Sequence, residues 1–363
     1  MSRKGVLPKQ MLQELLDSGY IQNVDSTFLN PASIDLPLSG EAYRLESIFL
    51  PRQGGEHIRN LIQEVGGRPH DLTLPLEVGV PYIIRIAGKW KLPPNVYGYV
   101  NPKSSTGRLN LFSRGVADGA DMYDHLPEGW TGEQWVLVHA DSFPILLTKG
   151  QTIAQVRLFD GPSFLDELHI DFAIRNHGLL FLEDGQKLSS REIANHRDSL
   201  ILTLRVSGEC GWECRGTLKP LDFARKDHRE SDFFDRVRAK DEGMLLRKGG
   251  FYILATAERV MVPPHLSAEL RATDPRLGEF RSHAAGYIDP GWGYGSDGSV
   301  RGRPITLEVI PHEEMYVRHG QPIARIRYEH MKEAPDVPYD LVADSNYTEQ
   351  GGPRLSKHFV YDD

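Results

Sequence analysis

The stretch Ala284-Ala285-Gly286-Tyr287-Ile288-Asp289-Pro290-Gly291-Trp292-Gly293-Tyr294-Gly295 decides how the rest of the chain is interpreted. Its small residues allow a backbone to pass close to a ligand, and its Pro-Gly pair predicts a tight turn after Asp289. After a loop, a strand follows as Ile305-Thr306-Leu307-Glu308-Val309-Ile310. A carboxylate in such an apolar strand is costly to bury unless it is paired, protonated or catalytic. Glu308 is therefore either a functional group or a charge on an exposed edge strand.

An Ile-Asp-Pro-Gly-Trp turn followed by a Thr-Leu-Glu strand resembles the third motif of the dCTP deaminases, a family of the trimeric dUTPase-like β-fold superfamily. The resemblance implies that Glu308 is the proton-shuttling catalytic residue and that no metal activates the water. It also implies that Asp289 lines the pyrimidine and sugar pocket. Further substrate contacts are implied for Ala285, Thr306 and Leu307.

Length and composition limit the class of protein. The 363 residues predict two domains or one large one, and 40% hydrophobic residues are enough for packed cores. The net charge of -8 argues against a general binder of nucleic acid or membrane surfaces. No apolar run suits a signal sequence or a membrane span, so we expect a cytoplasmic protein without membrane partners.

The cysteines and histidines do not form a recognisable metal motif. Cys210 and Cys214 are too few for a disulfide scaffold, and no second pair of metal ligands follows them, so we interpret them as ordinary thiols. The combined His-x-Glu and Pro-Cys-x-x-Cys signature of zinc-dependent nucleobase deaminases is absent, because His312-Glu313-Glu314 lacks the Pro-Cys-x-x-Cys partner motif. We expect no zinc, and Mg²⁺ bound only through a substrate triphosphate.

Short apolar runs separated by Pro and Gly turns predict a mainly β fold. A short amphipathic helix is expected within 5–19, followed by strands that include 80–86, 96–100, 135–139 and 152–159. This pattern favours a β-barrel or β-sandwich over βαβ units. The family resemblance makes each domain a distorted jelly roll with few short helices.

The order of segments in the first half starts again from about residue 184. Five segments recur in the same order, which chance similarity does not explain: 33–40 as 199–208, 79–86 as 249–255, 92–96 as 262–266, 100–109 as 270–277, and 150–157 as 320–327. We therefore predict a tandem duplication, with an N-terminal domain at 1–180 and a C-terminal domain at 181–363.

The stretch 101–108 offers two adjacent hydroxyls, two cations and a flexible glycine. These groups suit a phosphate chain, although a polar turn leading into a helix would have the same composition. The stretch resembles the family's Arg-Ser-Ser-x-x-Arg motif, with Lys103 in place of the first arginine. The resemblance implies that Ser104 and Arg108 support catalysis and that Lys103 and Ser105 bind the substrate.

The two halves depart from the family pattern in complementary ways. The first half has the serine loop but Val138 where the family has its strand glutamate. The second half keeps Arg276, a substrate-binding position, but has Ala272 and Thr273 in place of the serines. Because the superfamily's active sites lie between β-domains, the resemblance implies a composite site between unlike halves and a homo-oligomer.

The C-terminal stretch resembles the family's closing lid. Tyr339 and Gln350 fit the spacing of the tyrosine and glutamine that contact the nucleotide, whereas Asn346 stands where a lysine is usual. A disordered polar terminus would have a similar composition, but the spacing favours a lid.

The implied reaction is the hydrolytic deamination of dCTP to dUTP and ammonia in pyrimidine deoxynucleotide metabolism, with dTTP or dUTP as inhibitor. Glu308 would move the proton of the attacking water, and Arg108 or Arg276 would keep it ionised. One alternative is a dUTP diphosphatase, or a bifunctional enzyme that also forms dUMP, in which Asp289 activates water. Another alternative is a nucleotide-binding regulator without activity.

Overall fold

In the computed structural model, the chain divides into two units. The N-terminal unit comprises Val6–Pro162, Gly216–Phe233 and Ser356–Asp363, and the C-terminal unit comprises Met1–Gly5, Ser163–Arg215 and Phe234–Leu355. The structure describes residues 4–196, 198–240, 243–271, 274–281, 286–343, 347 and 350–362. The units differ from the predicted domains 1–180 and 181–363, because the division follows Pro162 and two later segments belong to the N-terminal unit.

The first part of the chain forms short strands and a few short helices, as predicted. They are α1 (Lys9–Asp17), β1 (Ile21–Gln22), β2 (Ile34–Arg44), α2 (Ile58–Glu64), β3 (Arg68–Pro69), β4 (Tyr82–Ile86), β5 (Lys89–Lys91), β6 (Tyr97–Pro102), α3 (Ser104–Gly107), β7 (Leu111–Ala117), β8 (His125–Leu126), β9 (Thr131–Gly132), β10 (Gln134–Ala140), β11 (Ile145–Leu146) and β12 (Thr152–Phe159). The bounds of β12 are those expected from its run of apolar and β-branched residues.

The rest of the chain opens with one helix and continues as strands. They are α4 (Glu167–His177), β13 (Leu180–Phe181), β14 (Asn195–His196), β15 (Ser199–Thr203), β16 (Glu209–Cys214), β17 (Leu221–Asp222), β18 (His228–Arg229), β19 (Phe234–Arg238), β20 (Gly243–Leu246), β21 (Tyr252–Val260), β22 (Leu266–Arg271), β23 (Phe280–Arg281), β24 (Tyr287–Ile288), β25 (Arg303–Pro311), β26 (Met315–Arg318), β27 (Pro322–His330) and β28 (Phe359–Val360). Short 3-10 helices lie at Ser26–Phe28, Glu230–Asp232, Pro275–Leu277 and Tyr339–Leu341.

The N-terminal unit is built on an antiparallel sheet in the order β7-β10-β4-β2-β12-β6-β8, with β3 also paired to β2. A smaller sheet has the order β1-β5-β9. The later segments of the chain join this unit through parallel pairs, β11 with β17 and β18 with β28. Two stretches distant in sequence therefore complete the N-terminal unit.

The C-terminal unit has two main antiparallel sheets. One has the order β19-β16-β21-β25-β23, with β13 paired to β21, and the other has the order β14-β15-β27-β22-β24. A separate pair joins β20 to β26. Alternate side chains of these strands meet in one large apolar cluster that includes Leu254, Leu307 and Ile326.

The two units repeat the same strand pairing. In the N-terminal unit the register between β12 and β2 shifts between Thr152 and Ala154. In the C-terminal unit the register between β27 and β15 shifts at the corresponding place, between Pro322 and Ala324. The pairs β6–β8 and β22–β24 also correspond. A shared irregularity is stronger support for duplication than shared strands, because bulges are specific features of a fold. The mainly β fold with a tandem repeat is thus confirmed.

No helix in the described part of the chain is both long and apolar enough to span a membrane.

Candidate functional site

Glu308 lies on the face of β25 that points away from the hydrophobic core. Successive side chains of a strand point to opposite faces. The core side of β25 is formed by Ile305, Leu307 and Val309. Glu308 and Thr306 therefore share the other face, yet Glu308 is only 2% exposed. The structure thus keeps the Glu308 carboxylate away from bulk water. Its electrostatic interactions are stronger in this buried position than they would be in solvent.

Two other predicted substrate contacts do not share this face. The Leu307 side chain is fully buried in the core. The Arg276 side chain is 84% exposed and its Nη2 lies 2.6 Å from Oδ2 of Asp274, so it is not placed to hold the buried Glu308 ionised. The positions that lie outside the described residues are Ala272, Thr273, Ala285 and Asn346.

The C-terminal segment lies along the polar face of β25. Nε2 of Gln350 donates to the Pro304 carbonyl at 2.7 Å, and the Arg354 amide donates to Oγ1 of Thr306 at 3.3 Å. Gln350 is itself buried. Gln350, which the sequence predicts to belong to a lid, is therefore hydrogen-bonded to β25, the strand that carries Glu308.

Asp289 stands directly after β24, at the start of the predicted turn. The Trp292 amide donates to the Asp289 carbonyl at 3.2 Å, which closes the turn. Gly291 has φ 88°, and a Cβ there would lie 2.4 Å from Cβ of Pro338. The turn therefore requires glycine at this position, both for its backbone conformation and for its contact with the segment that begins the lid.

The same turn is joined to the predicted lid through Asp340, which forms a buried ion pair with β25 that the sequence did not reveal. Nη1 of Arg303 lies 2.7 Å from both carboxylate oxygens of Asp340. The Asp340 carboxylate also accepts from the amides of Gly293, at 3.3 Å, and Gly295, at 2.8 Å. The adjacent Tyr339 amide donates to the Pro290 carbonyl at 2.9 Å. Three elements, the turn, β25 and the lid, thus meet at one carboxylate.

In the N-terminal unit, the predicted phosphate loop runs from the end of β6 into the short helix α3. The Lys103 ammonium forms an ion pair with Asp35 and donates to Oγ1 of Thr152 at 3.2 Å. Ser105 and Arg108 are buried, whereas Ser104 is half-buried. The charge of Lys103 is thus balanced by the Asp35 carboxylate. Of the two serines, Ser104 has the more accessible hydroxyl.

The first half of the chain has an apolar residue in place of the strand glutamate, but that residue is Leu137 and not Val138. Glu308 pairs with Ile253 of β21, and the residue at the corresponding position of β4 is Ile83. Ile83 pairs with Leu137 of β10. The prediction of Val138 was wrong by one residue, because gapped sequence echoes do not fix strand register.

The face around Leu137 is closed by hydrophobic packing. Leu137 and Trp135 form a small core with Ile58 and Ile62 of α2, together with Leu45, Ile83 and Val116. The corresponding face of β25 carries Thr306 and Glu308. The N-terminal unit therefore uses for its own core the face that the C-terminal unit keeps polar.

The N-terminal unit nevertheless retains the turn without its aspartate. Pro127 occupies the position of Asp289, because the Trp130 amide donates to the Pro127 carbonyl at 3.1 Å as the Trp292 amide donates to the Asp289 carbonyl. The Trp130 carbonyl accepts from the Leu92 amide as the Trp292 carbonyl accepts from the Val262 amide. The sequence comparison missed this correspondence because only the final Gly-Trp pair is shared. The backbone frame has thus been kept while the polar side chains have been lost.

The two cysteines lie in a geometry unsuited to one metal ion. Cys210 and Cys214 are four residues apart in β16, which separates their backbones by about 13 Å. Two thiolates on one zinc ion each need to be about 2.3 Å from it. Within the described residues, no group of three or more His, Cys, Asp or Glu side chains is arranged to hold a metal.

Comparisons with known proteins identify the family. The family model described as "2'-deoxycytidine 5'-triphosphate deaminase (DCD), C-terminal domain" matches residues 178–359, and the model of the corresponding N-terminal domain matches residues 3–162. A dCTP deaminase of Halorubrum lacusprofundi is 28% identical over 155 residues, which are 41% of this chain and 72% of that protein. A "dCTP deaminase, dUMP-forming" of Corynebacterium glutamicum is 30% identical over 125 residues, 33% of this chain and 61% of that protein.

A solved structure resembles almost the whole chain. The crystal structure of 2'-deoxycytidine 5'-triphosphate deaminase from Agrobacterium tumefaciens matches with a TM-score of 0.82 and 30% identity, covering 92% of this chain and 99% of that one. The likeness thus extends over both units and not only over one motif. The chain belongs to the 2'-deoxycytidine 5'-triphosphate deaminase family and is an enzyme of the hydrolase class.

Proposed function

We propose that this chain hydrolyses dCTP to dUTP and ammonia, with Glu308 as the proton-transferring residue. The observation that carries the proposal is the position of Glu308, a buried carboxylate on the polar face of β25 beneath the C-terminal segment. A core position would need an apolar residue, as Leu137 shows in the other unit. A retained buried carboxylate is therefore best explained by chemistry.

The reaction requires one water and no redox change. The oxygen of water adds to C4 of the cytosine while Glu308 accepts one proton of the water and passes it to N3. Glu308 then takes the proton of the new C4 hydroxyl and delivers it to the exocyclic amine, so that the C4–N bond breaks, ammonia leaves, C4 becomes a carbonyl and N3 remains protonated in the uracil product. One carboxylate acts in turn as base and acid.

The remaining predicted residues have binding and orienting roles in this proposal. Asp289, Thr306, Tyr339 and Gln350 contact the nucleoside or close over it, and Ser104, Ser105 and Arg108 contact the phosphates and orient the water. Mg²⁺ enters with the triphosphate as part of the substrate. Hydrogen bonds already join the lid to β25, which supports a site that excludes bulk water.

A second candidate is a bifunctional enzyme that releases dUMP. The observation in its favour is that the relative from Corynebacterium glutamicum, at 30% identity, is named as dUMP-forming. In this candidate Asp289 directs a second water to the α-phosphate, and pyrophosphate is the additional product. The two candidates share the same deamination step and differ only in whether the triphosphate of dUTP is then cleaved.

Product analysis after incubation with dCTP and Mg²⁺ tests both candidates. Ammonia with dUTP supports the deaminase, and ammonia with dUMP and pyrophosphate supports the bifunctional enzyme. Nucleotide binding without any product would contradict both and indicate a regulator. The zinc-free mechanism is tested separately: a zinc-selective chelator, followed by restored Mg²⁺, should leave the activity unchanged, and lasting inactivation would contradict it.

A further inference from the structure

The last segment of the chain packs beside the serine loop of the N-terminal unit. Oγ of Ser356 donates to the Ser105 carbonyl at 2.8 Å, and both residues are buried. Further along, β28 pairs with β18, and Nε of Arg229 lies 2.8 Å from Oδ1 of Asp362. The segment is therefore fixed at both ends, and its second residue, Lys357, is held next to the loop.

A second lysine reaches the same place from the segment Gly216–Phe233. Nδ1 of His358 donates to the Arg225 carbonyl at 2.9 Å. Lys357 precedes His358 and Lys226 follows Arg225 in the chain, so the two lysines flank this hydrogen bond. Lys226 is exposed, whereas Lys357 is half-buried.

The positive charge of this cluster is not balanced. Burial lowers the pKa of Lys357, and the nearby cations Lys103 and Lys226 lower it further, against the opposing effect of Asp35. Asp35 is the partner of Lys103. Among the described residues, neither Lys357 nor Lys226 forms an ion pair. A partly buried ammonium next to other cations is unfavourable unless an anion neutralises it.

We propose that Lys357 and Lys226 form an anion subsite beside the Ser104–Ser105 loop, and that it binds a phosphate group of the nucleoside triphosphate. The inference rests on the proposed function for the identity of the nucleotide, but the subsite itself is defined by the three chain segments that meet there. Two ammonium groups supply point charges to phosphate oxygens, and the half-buried position of Lys357 strengthens that attraction. Neither lysine lies within the stretch 101–108 or in the lid residues predicted from the sequence.

Substitution of Lys357 tests the subsite. We expect Lys357→Gln to raise KM for dCTP about tenfold while kcat changes less than about twofold, because a phosphate contact remote from C4 contributes to binding more than to chemistry. Lys357→Arg should restore most of the affinity. Lys226→Gln should show a smaller rise in KM. Because Lys226 is exposed, this variant still tests the subsite if substitution of the half-buried Lys357 disturbs folding. Lys89→Gln, at an exposed lysine of β5, is the matched control and should behave as the unsubstituted protein.

A second measurement makes the result independent of turnover. Calorimetric titration with sodium tripolyphosphate should give a binding constant that Lys357→Gln weakens about tenfold and Lys89→Gln leaves unchanged. Unchanged KM together with unchanged tripolyphosphate affinity in Lys357→Gln and Lys226→Gln would overturn the subsite even if the protein deaminates dCTP. If the protein releases no ammonia from dCTP, the proposed function fails, while the titration still decides the subsite.

Discussion

Arg303 and Asp340 form a buried ion pair in which one guanidinium nitrogen lies 2.7 Å from both carboxylate oxygens, with side chains only 9% and 3% exposed. Because Asp340 also binds the amides of Gly293 and Gly295, the pair ties the Asp289 turn, β25 and the lid together. The geometry of the candidate site thus depends on residues that contact no reacting atom in the proposed mechanism.

Breaking this pair is expected to be costly. Asp340→Asn should lower the free energy of unfolding by about 3–5 kcal/mol, because it leaves the Arg303 charge buried without a counter-charge. Urea denaturation measures this change, and KM for dCTP should rise in parallel. Glu77→Gln, which removes an exposed partner of Arg44, is the control and should have no measurable effect. If Asp340→Asn were as harmless as Glu77→Gln, the pair would not hold the site together.

Glu308→Gln is expected to lower turnover by about 10²–10⁴-fold while nucleotide binding is kept, since an amide cannot accept the proton of water. Ammonia release and dCTP titration measure the two quantities. Glu258→Gln is the control: Glu258 is a carboxylate of β21 that accepts from the amide and hydroxyl of Thr203. Near-normal ammonia release from Glu308→Gln would remove this residue from the mechanism.

Ser104→Ala is expected to reduce kcat/KM less severely than Glu308→Gln, because a hydroxyl orients water or phosphate but does not accept the proton. The control is Ser39→Ala, which removes a hydroxyl that accepts from the Glu41 amide at 3.2 Å. Steady-state kinetics decide the matter. An unaltered kcat/KM would assign the loop of the N-terminal unit a structural role.

The apolar face around Leu137 is expected to carry no nucleotide site. Ile62→Ala should lower the free energy of unfolding by about 2–5 kcal/mol and Ile62→Val by about 0.5–1.5 kcal/mol, because both remove buried methyl groups from this small core. Activity per folded chain should stay unchanged in both variants. Calorimetry should find one dCTP bound per chain, and two per chain would show that the face around Leu137 opens to ligand.

The sequence predicted the β fold and the duplication, because these depend on local patterns, whereas the catalytic role of Glu308 stays a prediction. Strands such as β12 carry their own apolar signal, and the Asp289 turn requires its Pro-Gly pair. The Arg303–Asp340 pair joins residues 37 positions apart with no periodic signal. The assignment of Val138 instead of Leu137 failed because a strand register one residue off looks equally apolar. Lys357 and Lys226 belong to the N-terminal unit although they lie late in the sequence. Their position depends on tertiary packing, which local sequence patterns do not predict.

His358 gives a prediction for pH dependence. Its Nδ1–H donates to the Arg225 carbonyl, so protonation must occur at Nε2, which is buried and has no hydrogen-bond partner in the described residues. Burial lowers the pKa of His358 to about 4, from 6.5 in an unperturbed histidine. Between these two values the unfolded chain binds the proton more readily than the folded chain does. The contribution of His358 to stability is therefore complete above about pH 6.5 and is lost as the pH falls towards about 4.

The loss between about pH 7 and about pH 4 should be on the order of 3 kcal/mol for this one group. Other groups titrate in the same range, so the informative quantity is the difference between the unsubstituted protein and His358→Gln, which cannot acquire the charge. Urea denaturation at about pH 7, 5.5 and 4 should give a steeper fall in the free energy of unfolding for the unsubstituted protein than for the variant. Parallel curves would mean that His358 accepts its proton without cost, and that the segment following Ser356 opens to water while the unit stays folded.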